Sequence, residues 1–235
     1  VGSEMCIRDR KHIALLTTLL LSASLQAVEK PYDYVFFENS LMKGDYFYSQ
    51  AKYTSPSWIK NARHHLPVAG SVAFTPGNSL ELTYVSAPGG DWYSEIQYCP
   101  VRGNDFFREP STLSMQVRLR ESMNAAALPN IAIRYADSTY TQYLNLRNYL
   151  KDTRPGVWHP VSIPLEDFGL NAVNDTNIKK LAAVALRPGT ADGNEYTIYL
   201  DDIELLPASL PSVSALNAPV LQEAKAYERH IDIKW

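Results

Sequence analysis

The stretch from Tyr196 to Leu205 reads Tyr-Thr-Ile-Tyr-Leu-Asp-Asp-Ile-Glu-Leu. Its Tyr, Ile and Leu recur at period two and favour a pleated surface, which predicts a β-strand. Two adjacent carboxylates, Asp201 and Asp202, sit inside it. Successive strand side chains point to opposite faces, so one of the two faces inward or into a rim pocket. A carboxylate taken out of water has to be paired or bound to a metal.

Other segments repeat the period. Leu80, Leu82 and Tyr84 alternate with Glu81 and Thr83; Met115, Val117 and Leu119 with Gln116, Arg118 and Arg120; Ile131, Ile133 and Tyr135 with Ala132, Arg134 and Ala136; Leu144 and Leu146 with Tyr143, Asn145 and Arg147. Trp92 to Tyr98 reads as a further strand. Leu181 to Leu186 is a continuous apolar run, which predicts a strand buried on both faces. Turns are expected at Thr75–Asn78, at Pro88–Asp91 and at Asp137-Ser138. The segment Ser40 to Pro67 has no clean period and reads as a long irregular loop with short strands. Helix is expected only in a turn or two, such as Leu165 to Leu170. Strands spaced by turn signals with little helical period argue an all-β, antiparallel β-sandwich.

With 15 Tyr and 15 Pro among 235 residues, composition points the same way. The net charge of −3 gives no reason to expect nucleic-acid binding. The two cysteines are Cys6 and Cys99, too few and too far apart in role to staple a fold of this size. Cys99 is expected to be a small buried apolar residue.

The organisation is expected in five parts. Residues 1–10 have no periodicity and resemble an adapter read-through peptide. Residues 11–27 read as a secretory signal: Lys11 and His12, an apolar stretch Ile13 to Leu21, then small residues with cleavage after Ala27. That apolar stretch is too short to span a bilayer. The export signal predicts a secreted or periplasmic protein. Residues 28–207 form the sandwich, 208–218 a linker rich in Pro, Ser and Ala, and 219–235 a separate strand pair.

Trp158-His159-Pro160-Val161-Ser162-Ile163-Pro164-Leu165, followed about thirty residues later by Tyr199-Leu200-Asp201-Asp202-Ile203, resembles the galactose-binding-like β-sandwiches (jelly rolls), many of them carbohydrate-binding modules of secreted glycoside hydrolases. The resemblance implies a sugar ligand and a core position for Trp158. Residues 219–235, with Pro219 leading and Ile231-Asp232-Ile233-Lys234-Trp235 closing, resemble the truncated start of a fibronectin type III domain. The order of export signal, Tyr32-Asp33-Tyr34-Val35-Phe36-Phe37-Glu38-Asn39-Ser40-Leu41-Met42 and fibronectin-like strands resembles the N-terminal region of bacterial glucoamylase-like β-glucan hydrolases. That implies a catalytic domain in cis, downstream of Trp235.

Two binding constellations follow. Sandwiches of the resembled kind often hold a structural calcium ion between an early acid and the acid of the last strand. Glu38, Asp201 and Asp202 are the candidates here, with oxygens from Asn39 and Asp45 in reach of the idea. Independently, alternation puts Gln116, Arg118, Arg120, Arg134, Tyr143, Asn145 and Arg147 opposite the core residues of their strands. Guanidinium forks, amides and a ring on one face suit sugar hydroxyls or carboxylates. Arg118, Arg134, Tyr143, Asn145 and Arg147 are therefore the candidate ligand contacts. Trp58, in the long loop, is the aromatic expected to be exposed beside them; Tyr93 and Tyr140 are further ring candidates, and Trp92 is expected in the core.

No nucleophile motif, zinc spacing, phosphate loop or dinucleotide fingerprint is present. Asp201 and Asp202 are adjacent on one strand and cannot face each other across a scissile bond. The expected role is a non-catalytic module that binds a polysaccharide or oligosaccharide. The alternative is a structural spacer or adhesion module without a sugar site.

Overall fold

In the computed structural model, the described residues are 34–98, 110–170 and 180–207, with the backbone of 223–227 and 230–234. The expectations for residues 1–10 and 11–27, for the linker and for Cys99 lie outside them.

Thirteen strands form the sandwich: β1 (Tyr34–Phe37), β2 (Asp45–Tyr46), β3 (Ser49–Thr54), β4 (Trp58–Ile59), β5 (Leu66–Ala69), β6 (Ser79–Val85), β7 (Asp91–Gln97), β8 (Pro110–Leu119), β9 (Asn130–Tyr135), β10 (Leu144–Asn145), β11 (Trp158–Pro164), β12 (Leu181–Arg187) and β13 (Glu195–Pro207). One sheet runs β11-β8-β13-β6-β5-β2, with β1 added to β13 and β4 to β6; the other runs β10-β9-β12-β7-β3. Every pairing is antiparallel. The all-β antiparallel sandwich expected from the periodicity is the fold observed.

From β6 on, the chain alternates between the sheets except at β9 and β10: β6, β8, β11 and β13 belong to the larger, β7, β9, β10 and β12 to the smaller. Apart from β9 and β10, which pair side by side, strands that are neighbours in sequence there face each other across the core. Leu80, Leu82, Met115, Val117, Ile198 and Leu200 pack from one side against Ile96, Ile131, Ile133, Val184 and Leu186 from the other. Tyr84 and Trp92 meet in that core with ring centroids 4.7 Å apart. Trp92 is 1% exposed and its indole N–H donates to Ser86 Oγ at 2.9 Å, so its core assignment holds.

β13 changes phase midway. Ile198 and Leu200 enter the core, but so do Ile203 and Leu205. The shift is a β-bulge between Asp201 and Glu204, with Asp202 at φ 47°. Asp201 is consequently turned from the core, yet it is fully buried under the loop preceding β6. Its Oδ2 accepts from Phe74 N at 2.7 Å and Thr75 N at 3.3 Å, and its Oδ1 from Asp202 N at 2.9 Å. Burial pushes its carboxyl up to about 6, against the lowering effect of the Phe74 amide.

The short strands expected within Ser40–Pro67 are β2, β3, β4 and the start of β5, and β3 is long enough to form a full edge of the smaller sheet. Two expectations are corrected. Trp158 is not a core residue. His159, Val161 and Ile163 point inward on β11, so Trp158 is on the outer surface, half-buried, with Phe74 6.0 Å away edge-on. Leu144 and Leu146 do not share a strand: β10 is two residues long and leads into a 3-10 turn, Leu146–Asn148. The expected helical turn appears at Leu165–Phe168.

The segments β14 (Glu223–Tyr227) and β15 (His230–Lys234) pair as an antiparallel ribbon. Among the described residues no helix is long and apolar enough to cross a membrane.

Candidate functional site

The outer face of the five-stranded sheet carries a dense set of polar and aromatic side chains, and register orders them in rows. Lys52 on β3 is opposite Tyr93 on β7, and Arg187 on β12 is opposite Asn130 on β9, which pairs with Asn145 on β10. The next row runs Gln50, Glu95, Ala185, Ala132. In the third, Ala183 separates Gln97 from Arg134, and Tyr140 bridges to Arg134 from beyond β9.

Ala132, Ala183 and Ala185 form the floor. All three are buried but stand outside the hydrophobic core cluster, because larger neighbours cover them from above. Their missing side chains leave room for residues two strands apart to meet. Arg134 Nε reaches Glu95 Oε1 at 2.6 Å, the carboxylate being 3% exposed. The Tyr140 hydroxyl donates to the same Oε1 at 3.1 Å and is 3.4 Å from the Tyr93 hydroxyl. Burial, then the hydrogen bond to Glu95, holds the Tyr93 phenol well above its usual range.

Arg187 closes the other end. Its Nη1 donates to Asp91 Oδ2 at 2.9 Å and its Nε to the Tyr143 hydroxyl at 3.1 Å. Its guanidinium carbon is 5.4 Å from the Tyr93 ring centre and 5.8 Å from that of Tyr143, within cation–π range of both. Burial raises the Tyr143 phenol while Arg187 opposes the rise. Tyr140 and Tyr143 stack at 6.0 Å.

Two hollows open on this surface. One, of about 410 Å³, is lined by Lys52, Tyr53, Thr54, Tyr93 and Tyr140; the other, of about 450 Å³, by the 87–90 turn, Asn130, Tyr143, Pro188 and Gly189. The walls of the second are set by close backbone approach. A Cβ on Gly90 would lie 2.3 Å from Ser57 N, and one on Gly189 2.2 Å from Leu128 O, so neither position admits a side chain.

The residues expected on one face are divided. Arg134 and Tyr143 are on the surface just described. Arg118 is not: β8 belongs to the other sheet, where Arg118 is between Trp158 and Tyr199 on the opposite side of the molecule. Trp58 on β4, paired with Val85 of β6, is on that opposite side too and is half-buried. Asn145 is at the margin but is spent on structure, donating to Leu128 O and Asn130 Oδ1 and capping the turn through Arg147 N. Arg147 is exposed in that turn, its Nε 3.4 Å from Asn148 Oδ1. Tyr93 and Tyr140, considered only as ring candidates, are central. Glu95, Asp91, Arg187 and Lys52 were missed. The available signal was the Ala-rich β12 run ending abruptly in Arg187.

Of the acids expected to hold calcium, Glu38 directly follows β1, and Asp201 and Asp202 are at the β13 bulge. Among the described residues no group of three or more His, Cys, Asp or Glu side chains is placed to hold a metal ion. Both oxygens of Asp201 face amide donors. Asp202 Oδ2 accepts from the Thr75 hydroxyl at 2.6 Å, and only its Oδ1 is buried without a partner.

Comparison with known proteins adds the family. Over residues 33–206 the chain matches the family model described as carbohydrate binding domain 30. Among solved structures it is similar to the family 30 carbohydrate-binding module of a cellulosomal cellulase of Clostridium thermocellum, at 16% identity and a TM-score of 0.52, covering 75% of this chain and 98% of that one. A second family 30 carbohydrate-binding module matches at 18% identity and a TM-score of 0.52, covering 78% of this chain and 94% of that one. At these identities the structural likeness bears on the fold.

Proposed function

The chain belongs to the carbohydrate binding domain 30 family, and on that premise we propose that it binds a polysaccharide along the outer face of its five-stranded sheet without transforming it. The observation that carries the reading is the alanine floor. Three small residues side by side at the centre of a sheet face are poor packing surface but good standing room for Tyr93, Tyr140, Tyr143 and two guanidinium groups. Rings supply stacking area and forks supply N–H donors for hydroxyl oxygens, the two things a hydrated sugar needs from a protein.

A catalytic role finds no support on this face. Its two carboxylates, Glu95 and Asp91, are each committed to an arginine, and hydrolysis of a glycosidic bond needs a free pair facing each other across the substrate.

The solved family 30 module in a cellulase makes a β-glucan the ligand to try first. Affinity electrophoresis through gels containing mixed-linkage β-glucan or hydroxyethylcellulose tests it. Retardation that Tyr143→Ala weakens is the expected result. Unchanged mobility in every polysaccharide gel would leave a spacer or adhesion module instead. The larger setting of this reading is a secreted glycoside hydrolase: a signal cleaved after Ala27, then the sandwich, a fibronectin-like domain beginning near Pro219, and a catalytic domain in cis. Its support is the sequence resemblance already described. Mass spectrometry of exported protein should find a chain starting at Val28, and an N-terminus at Lys11 would end that part of the proposal.

A further inference from the structure

Resting on the reading of this face as a glycan site, we propose that Arg187 is its anchor, standing at the junction of two subsites and coupling them, so that a ligand long enough to fill both gains affinity through this one side chain. The two hollows share only two lining residues, Asp91 and Arg187. Each has a volume in the range of small-ligand sites, at about 410 and 450 Å³. A chain running from one to the other must cross the guanidinium.

The guanidinium is fixed in place. Asp91 holds Nη1, the Tyr143 hydroxyl holds Nε, and the rings of Tyr93 and Tyr143 flank the carbon. A guanidinium has five N–H donors. Two are used here, so three are available at the junction of the hollows, on a side chain that is 40% exposed. Because the fork is already ordered, a sugar hydroxyl that meets it gains a charge-assisted hydrogen bond without the entropy of ordering a long side chain. Lysine offers no such fork.

The test is calorimetric titration of the whole chain with cello-oligosaccharides from the disaccharide to the hexasaccharide, beside electrophoresis in mixed-linkage β-glucan gels. The wild type should gain affinity with length until both hollows are filled. Arg187→Ala and Arg187→Lys should both flatten that profile, losing about tenfold on the hexasaccharide, the order expected for lost charge-assisted hydrogen bonds, and under about twofold on the disaccharide. Their melting temperatures should stay near wild type, since Arg187 is outside the core. Asp91→Ala, which removes the acceptor that tethers the guanidinium, should give an intermediate profile. Wild-type binding with an unaltered length profile in the Arg187 variants would overturn the anchor and leave the glycan site standing. A wild type that binds no glycan at all removes the site and the anchor together.

Discussion

Arg134 and Glu95 stand two strands apart in the smaller sheet, yet their side chains meet at 2.6 Å over Ala183 and Ala185. Backbone spacing alone would keep such residues near 10 Å apart. The two alanines between them let a long guanidinium lie flat across the intervening strand. The pair is buried and also receives the Tyr140 hydroxyl, so it ties a loop residue to the sheet and sets the floor of the groove.

Removing one partner should therefore cost more than a surface pair would. Glu95→Gln leaves the Arg134 charge buried without its counter-ion and is expected to destabilise by about 3 kcal/mol in urea melts. Arg134→Ala should do likewise, so a loss of glycan binding in that variant has to be read beside its stability. Replacing both by Leu is expected to recover most of the loss. Two single costs that simply add in the double variant would show that the pair is not coupled.

The two faces of the sandwich should separate cleanly in affinity gels. Tyr143→Ala removes a ring that is 36% exposed at the groove and should weaken retention with little change in melting temperature. Trp58→Ala and Arg118→Ala alter the opposite sheet and should leave retention as in the wild type. Retention lost on Arg118→Ala at unchanged stability would move the site to the other face.

Asp201 gives the fold a pH dependence with a defined sign. Its folded carboxyl is pushed up to about 6 from an ordinary value of 3.8, chiefly by burial. A raised pKa means that the fold prefers the protonated form. The associated stability is therefore fully present below the unfolded value and is lost as pH rises through about 6. The size is on the order of 3 kcal/mol across that window. Stability measured from pH 4 to 7.5 should fall in the wild type more than in Asp201→Asn, which cannot titrate. Parallel profiles for the two proteins would remove Asp201 as the source.

Chelation tests the acids of the β13 bulge. Asp201 already satisfies its oxygens with amides, and Asp202 offers one open oxygen. The melting temperature is expected to be the same with and without chelator. A drop that added calcium reverses, and that Asp202→Asn abolishes, would restore a structural ion at this place.

Much of the fold was legible in the sequence, because alternation is a local property. The core residues of β6, β8, β9 and β13 follow from period two, since one side of each strand must leave water. The phase change in β13 is also written there, in the double Asp between Leu200 and Ile203, although reading it as a bulge needs the partner strand. The bounds of β3 within Ser40–Pro67 are not legible in the sequence, because an edge strand with one apolar face covered only in part, reading Ser-Gln-Ala-Lys-Tyr-Thr, carries a weak pattern.

Which strands share a surface was decided by tertiary structure alone. Alternation says that Arg118 and Arg134 both point away from the core, and both do. It does not say that the chain passes from one sheet to the other between them, which sends the two arginines to opposite sides of the molecule. The same crossing brings Glu95, Arg134, Tyr140 and Arg187 together from segments far apart in sequence, over alanines whose importance lies only in what stands on them. Local pattern determines which side of a strand is buried; the order of strands in the sheets determines what the exposed sides build.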